Sequence, residues 1–369
     1  MAASYRAEVV GSLLRSPALK QARASYEAGR LSAAAFKRIE DRSVDDAIAL
    51  QEEAGVDVVT DGELRRSIFI DSVAEAVEGI TRTPEPGQRV VWHGEGGSDE
   101  QQVAEWTLAV TGRVRPRRSL VTEEFVYARA RAARPVKVTL VSPMTLTLLW
   151  HPRYTPSVYP DTFELYEDLA VVTRAEVEAL AALGCTYIQI DAPDLAKLVD
   201  EEGRRFFADA GADPDRILTD GVDLLNRIVE GVPGVTFGIH LCRGNSRGRW
   251  RSSGGYEAIS KAVFRRATAF QRFLLEYDDE RSGSFEPLAD LPDDKVAVLG
   301  LVTTKRPELE RTDALLRRID EAARHFAREQ LAISPQCGFA SEIAGNPLSE
   351  ADQRAKLKLV AEVARLAWP

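Results

Sequence analysis

The chain has 369 residues, 44% of them hydrophobic and 28% charged, with a formal net charge of −9. That composition is enough to build a globular core, and the acidic balance argues against nucleic acid, which needs a basic face. No run of 18 apolar residues offers a membrane span, and the N-terminus has no apolar signal core, so a cytoplasmic protein is expected.

Glu8–Arg15 is a short strand that breaks at Gly11-Ser12. Helical sequence runs from about 16 to 55, and Val56–Glu63 is a second strand ending in acids and a glycine. Residues from about 80 to 122 differ. They hold Pro-Glu-Pro-Gly, a Gly/Asp-rich turn at Gly94–Asp99, and alternating sequence from Thr107 to Val114. This reads as a β-hairpin-type insertion. It either covers the site or supports subunit contact, and a homo-oligomer is left open.

Val136–Pro143 is the third strand, 160–183 a helix, and Thr186–Pro193 the fourth strand. Another helix covers 213–230. The fifth strand carries His240 and Cys242, the sixth ends at Glu276, and the seventh is Val296–Val302. A helix at 308–329 leads to the eighth strand at 331–334, and a last helix covers 349–367. Strands alternating with helices imply parallel βαβ units. Eight units predict a (β/α)₈ TIM barrel, with residues 1–369 as a single catalytic domain. A doubly wound open sheet is the alternative, lowered by the absence of a GxGxxG after a strand.

Candidate site residues fall at the strand ends, where such barrels carry their chemistry. His240 and Cys242 are two apart on a strand, so both point to one face. An imidazole beside a thiolate is half of a zinc site. Only three cysteines exist: Cys185, Cys242 and Cys337. That number is too low for a disulfide framework, and in a reduced compartment the thiols stay available to metal. Cys337 follows the eighth strand, and Glu276 offers a carboxylate at the end of the sixth. Cys185 precedes its strand, at the structural end, and is expected to be dispensable. Taken singly, each residue has a plain reading as core or surface; together they favour zinc.

Two thiolates, a carboxylate and a neutral imidazole around Zn²⁺ sum to about −1. Such a centre is a poor Lewis acid but holds a substrate thiol as thiolate. The reading is therefore thiol alkylation. Asp191 and Glu63 suit the ammonium of an amino-acid thiol, and Ser12 with the backbone around Gly11 suits its carboxylate.

Several segments resemble the cobalamin-independent methionine synthase family, in short forms that match the C-terminal catalytic barrel. They are Val-Val-Gly-Ser-Leu-Leu-Arg at 9–15, Val-Thr-Asp-Gly-Glu at 59–63, and Ile-Gln-Ile-Asp-Ala-Pro at 188–193. His-Leu-Cys-Arg-Gly-Asn at 240–245, Leu-Glu-Tyr-Asp at 275–278 and Gln-Cys-Gly-Phe at 336–339 complete the match. The resemblance implies zinc on His240, Cys242, Glu276 and Cys337, and homocysteine at Ser12, Glu63 and Asp191. It also implies methyl transfer from a methylated folate to homocysteine; methylcobalamin is an alternative donor, since it would need no acid on its leaving group. Lys305 stands where the longer enzymes carry an acid His on the loop after strand seven. A lysine near about 10.4 is a much weaker acid than a histidine near about 6.5. Asp191-Ala192-Pro193 likewise replaces the usual Asp-Glu-Pro. Epoxyalkane–coenzyme M transferases resemble this family too. That second reading shifts weight to Arg15, Arg66 or Lys305 as receivers of a sulfonate. A third is a specialised S-methyltransferase, and a fourth, from another class, is a zinc-holding barrel without catalysis.

Overall fold

The computed structural model describes residues 5–85, 89–103 and 108–369. Six strands form one parallel sheet, each hydrogen-bonded to its neighbour in chain order. The insertion supplies β1 (Val77–Arg82), β2 (Arg89–Trp92), β3 (Glu100–Val103) and β4 (Leu108–Pro116). The sheet itself is β5 (Lys137–Val141), β6 (Tyr187–Asp191), β7 (Thr236–Leu241), β8 (Arg272–Glu276), β9 (Val296–Val302) and β10 (Leu331–Pro335). Every residue of β5, β6, β8 and β10 is buried, as expected of parallel strands covered on both faces.

The first two predicted strands are reduced to single bridges, Ala7 to Ile333 and Val59 to Val136, both parallel. Their backbone hydrogen bonds still close the ring. Glu8 N–H donates to Ile333 O (3.0 Å), Asp57 N–H to Ala7 O (2.8 Å) and Lys137 N–H to Val59 O (2.8 Å). The fold is the expected (β/α)₈ barrel.

Helices wrap the outside, and several begin where a side chain supplies the missing acceptor. Ser16, Ser32, Asp161 and Asp200 each accept from a first-turn N–H. Ser349 and Asp352 form a reciprocal capping box. The stretch read as helical from 16 to 55 is two helices, Pro17–Glu27 and Ala33–Ala54. A turn follows the first, and Ser32 starts the second. Among the described residues no helix is long and apolar enough to cross a membrane.

The insertion is a nested pair of antiparallel ribbons, β1 with β4 and β2 with β3. It starts at Val77, three residues earlier than the sequence suggests, and ends at Pro116. Pro86 and Gly87 of the Pro-Glu-Pro-Gly turn, and Thr107, lie outside the described residues. The inner ribbon is fastened to the loop after β7. His93 and Trp250 exchange backbone hydrogen bonds of 2.8 and 3.1 Å, and Arg249 pairs with Glu100 at 2.7 Å.

Residues two apart on each strand share the barrel interior. At its base sits a buried ionic group. Glu8 accepts from Arg272 Nε (2.6 Å) and Tyr187 OH (2.7 Å), and Lys137 Nζ stands 3.5 Å away. Burial lowers the Lys137 pKa to about 8, although Glu8 supports its charge. Removing one partner of a buried ion pair costs about 3–5 kcal/mol because the other charge is left unpaired. Glu8→Ala should therefore lower the unfolding free energy by about that amount in urea titration. A loss below about 1 kcal/mol would show that these cations are satisfied without Glu8.

Candidate active site

Polar side chains meet at the carboxyl rim of this ring. Asp191 and Glu276 are the last residues of β6 and β8, and His240 lies within β7. Cys242, Lys305 and Cys337 sit on the loops just beyond β7, β9 and β10. All six are buried, as are Ser12 and Glu63. A cavity of about 150 Å³ opens among them, lined by Ser12, Glu63, Asp191, His240, Cys242 and Cys337. Val90 and Trp92 of β2 line it too, so the insertion forms part of the wall.

His240, Cys242 and Cys337 present donor atoms all within 4.8 Å of one another. A hydrogen bond from the Cys337 thiol and the His240 charge hold Cys242 well below the usual thiol range, against burial. The same bond, burial and the Cys242 charge push Cys337 up. His240 Nδ1 faces Leu274 O at 3.2 Å, while its buried Nε2 has no hydrogen-bond partner. A buried imidazole nitrogen left open beside two sulfurs is what a tetrahedral soft-metal site requires. The donor set fits a zinc ion.

Glu276, the expected fourth ligand, is not part of that trio. Its Oε2 accepts the Arg243 N–H (2.7 Å), and its Oε1 accepts from Arg281 (2.6 Å) and Lys305 (3.1 Å). Burial alone would raise the carboxyl pKa, but Lys305, Arg281 and Arg243 hold it well below the ordinary range. Lys305 also donates to Asp278 at 2.9 Å. Against its burial, Asp278 and Glu276 raise its pKa above the usual lysine value. Lys305 is thus held as a cation between Glu276 and Asp278.

The acidic wall is built differently. Burial, with Glu63 nearby, raises the Asp191 pKa to about 7, even though His240 opposes the shift. Gln189, two residues earlier on the same face, donates to Asp191 Oδ1 at 2.6 Å. Lys137 donates to the Gln189 oxygen at 2.7 Å. An ammonium only donates, so it fixes which end of the amide turns toward Asp191. Gln189 was not foreseen, although its i−2 spacing from Asp191 was the signal. Glu63 accepts from Thr139 Oγ1 at 2.8 Å and takes the left-handed conformation, φ 54°. A side chain there costs about 1–3 kcal/mol. Arg15 clamps the turn by donating to the backbone of Glu63 and Arg66 at 2.8 and 2.9 Å.

Ser12 packs against the turn that follows Cys337. A Cβ on Gly338 would fall 2.0 Å from Ser12 Oγ, so only glycine lets these two loops approach. Asn245 Nδ2 donates to Gly338 O at 2.7 Å, and Asn346 Nδ2 to Asn245 Oδ1 at 2.8 Å. The Cys242 and Cys337 loops are thus tied to each other. Cys185 stands apart, its thiol directed at Tyr187 O and raised to about 11 by burial. Arg15 and Arg66, candidates for an anion in the second reading, are already engaged: Arg66 pairs with Glu124 at 2.7 Å. Two other cations line the cavity and were not foreseen, Lys197 and Arg251.

Comparison with known proteins agrees with this arrangement. Residues 6–228 match the family model described as cobalamin-independent synthase, catalytic domain. The chain is 35% identical over 370 residues to uncharacterized protein YxjH of Bacillus subtilis (strain 168), covering 99% of this chain and 95% of that one. It is 27% identical over 315 residues to the methionine synthase of Pyrococcus abyssi, covering 85% and 80%. A Listeria monocytogenes structure assigned as a vitamin-B12 independent methionine synthase superposes with a TM-score of 0.74 at 26% identity, covering 100% of this chain and 99% of that chain. The barrel, the His/Cys/Cys trio at its rim and the matched residues place the chain in the cobalamin-independent synthase catalytic-domain family.

Proposed function

We propose that this chain is a zinc-dependent thiol methyltransferase that makes methionine from homocysteine, with a methylated folate as the methyl donor. The trio His240, Cys242 and Cys337 at the cavity carries this reading. The relative from Pyrococcus abyssi, a methionine synthase, supports methionine as the product. Residues 1–369 are read as one catalytic unit.

A zinc ion on these residues, with Glu276 as the fourth ligand the family resemblance implies, supplies one thing: it keeps a substrate thiol deprotonated at neutral pH. The chain does the rest. Asp191 and Glu63 receive the substrate ammonium, and Gln189 keeps Asp191 turned toward it. Ser12 receives the carboxylate. Lys305 and Arg281 steady Glu276, so Lys305 acts as a positioning cation instead of the acid its place in the chain suggested. The buried rim excludes water that would otherwise screen these charges.

Mass spectrometry of zinc-loaded protein given homocysteine and a methylated folate should show methionine. No methionine from that pair would overturn the donor, the thiol or both, and methylcobalamin in a parallel arm separates the first case. Cys337→Ser should lose zinc by metal analysis after gel filtration, while Cys185→Ser should keep it. The reverse pattern would sink the ligand assignment. Asp191→Asn should keep its zinc and bind homocysteine at least about tenfold more weakly in calorimetry, the size expected for one hydrogen bond to a charge. Equal loss of zinc and affinity would make Asp191 a structural residue.

A further inference from the structure

Lys197 ends the short helix Pro193–Lys197 that follows β6. It is 5% exposed and lines the cavity. Arg251, on the loop after β7, lines the same cavity. Among the described residues neither side chain makes a hydrogen bond or an ion pair. Burial, with Arg251 nearby, lowers the Lys197 pKa to about 7 although Asp194 supports its charge, and a buried amine without an ion-pair partner is uncommon.

The acids around them are committed elsewhere. Asp194 accepts from Ser142 (3.1 Å) and Thr145. Asp200 caps Gly203 N–H and Ser253 N–H, both at 2.8 Å. Glu202 faces His93 Nε2 at 3.0 Å.

Both cations are held in place. A Cβ on Gly203 would fall 1.8 Å from the Lys197 carbonyl oxygen, so the following helix packs directly on this residue. The Arg251 stem lies against Gly244, where a Cβ would meet its Cγ at 3.0 Å. Its guanidinium covers the Phe206 ring at 4.7 Å. Asp194 favours the Lys197 charge, and Glu202 and Asp200 favour that of Arg251, but none of them makes an ion pair with either. A guanidinium and an amine on one wall, with no acid in ion-pair contact, form a receptor for an oxyanion.

Ring order separates this pair from part of the acidic wall. Ser12 and Glu63 follow the first two strands, whereas Lys197 and Arg251 follow β6 and β7. Leu148, Leu149, Val90 and Trp92 add an apolar lining. An amino-acid thiol brings one carboxylate, and Ser12 is read as its receiver. We propose that Lys197 and Arg251 form an oxyanion subsite for a carboxylate of the alkyl donor, so that the second substrate is an anion with an apolar body. This rests on the placement of the thiol given above.

Calorimetry on zinc-loaded protein tests it, with homocysteine and glutarate as separate probes. Glutarate should bind the wild type in the presence of homocysteine. Lys197→Met should weaken glutarate at least tenfold and leave homocysteine within twofold, and Lys197→Arg should restore glutarate. Should Lys197→Met fail to fold, Arg251→Gln carries the same comparison. The subsite is overturned if glutarate does not bind the wild type, or binds wild type and variants alike. It is also overturned if homocysteine weakens by the same factor, since the pair then serves the thiol's own carboxylate. Lys197-dependent glutarate binding without any homocysteine binding would keep the subsite and remove the proposed thiol substrate.

Discussion

A parallel sheet bent into a closed ring sends every strand toward the same rim. That constraint generates the site. Once Glu8 bonds to Ile333 and Lys137 to Val59, the groups at the ends of eight strands have one mouth to share. Residues far apart in the chain, such as Ser12, Asp191, Cys242 and Cys337, come to line one cavity. The interior then divides by height. An ionic base of Glu8, Lys137 and Arg272 lies below, a small apolar layer of Val10, Leu274, Val298 and Ala332 sits between, and the rim carries the chemistry.

The base and the rim are not independent. Lys137 touches the base carboxylate and also the Gln189 amide, which reaches Asp191. A charge placed low in the barrel thereby fixes a donor near its mouth. Dense polar networks of this kind hold only if every member is satisfied, which explains how such a line can cross a packed interior.

Much of this was legible in the chain. Alternation of apolar runs with helical sequence gave the barrel, and the i, i+2 spacing of His240 and Cys242 gave a shared face. Strand seven was read at Val296–Val302, its observed bounds. What escaped the sequence was partnership. Nothing local tells that Glu276 turns toward Arg281 and Lys305, because those contacts depend on loops that fold back from β8 and β9. Lys197 went unremarked in the chain, since the absence of an ion-pair partner is visible only in three dimensions. The insertion was recognised as β-structure, but its nesting was not, because β1 pairs with β4 across a second ribbon.

The seam of the ring joins two segments far apart in the chain. Arg6 reaches Glu329, 323 positions away, and Ala7 pairs with Ile333. During synthesis the segment at Ala7 must wait until Ile333 has emerged before it finds this neighbour. Contacts of such long separation are slow to form, and an unpaired strand edge invites the wrong partner meanwhile. The rim divides accordingly. Cys337 follows a strand that pairs with its neighbour in chain order, so its approach to Cys242 does not wait on the seam. Ser12 meets the turn after Cys337, where the Phe339 N–H donates to its carbonyl at 2.8 Å, only once the seam is made.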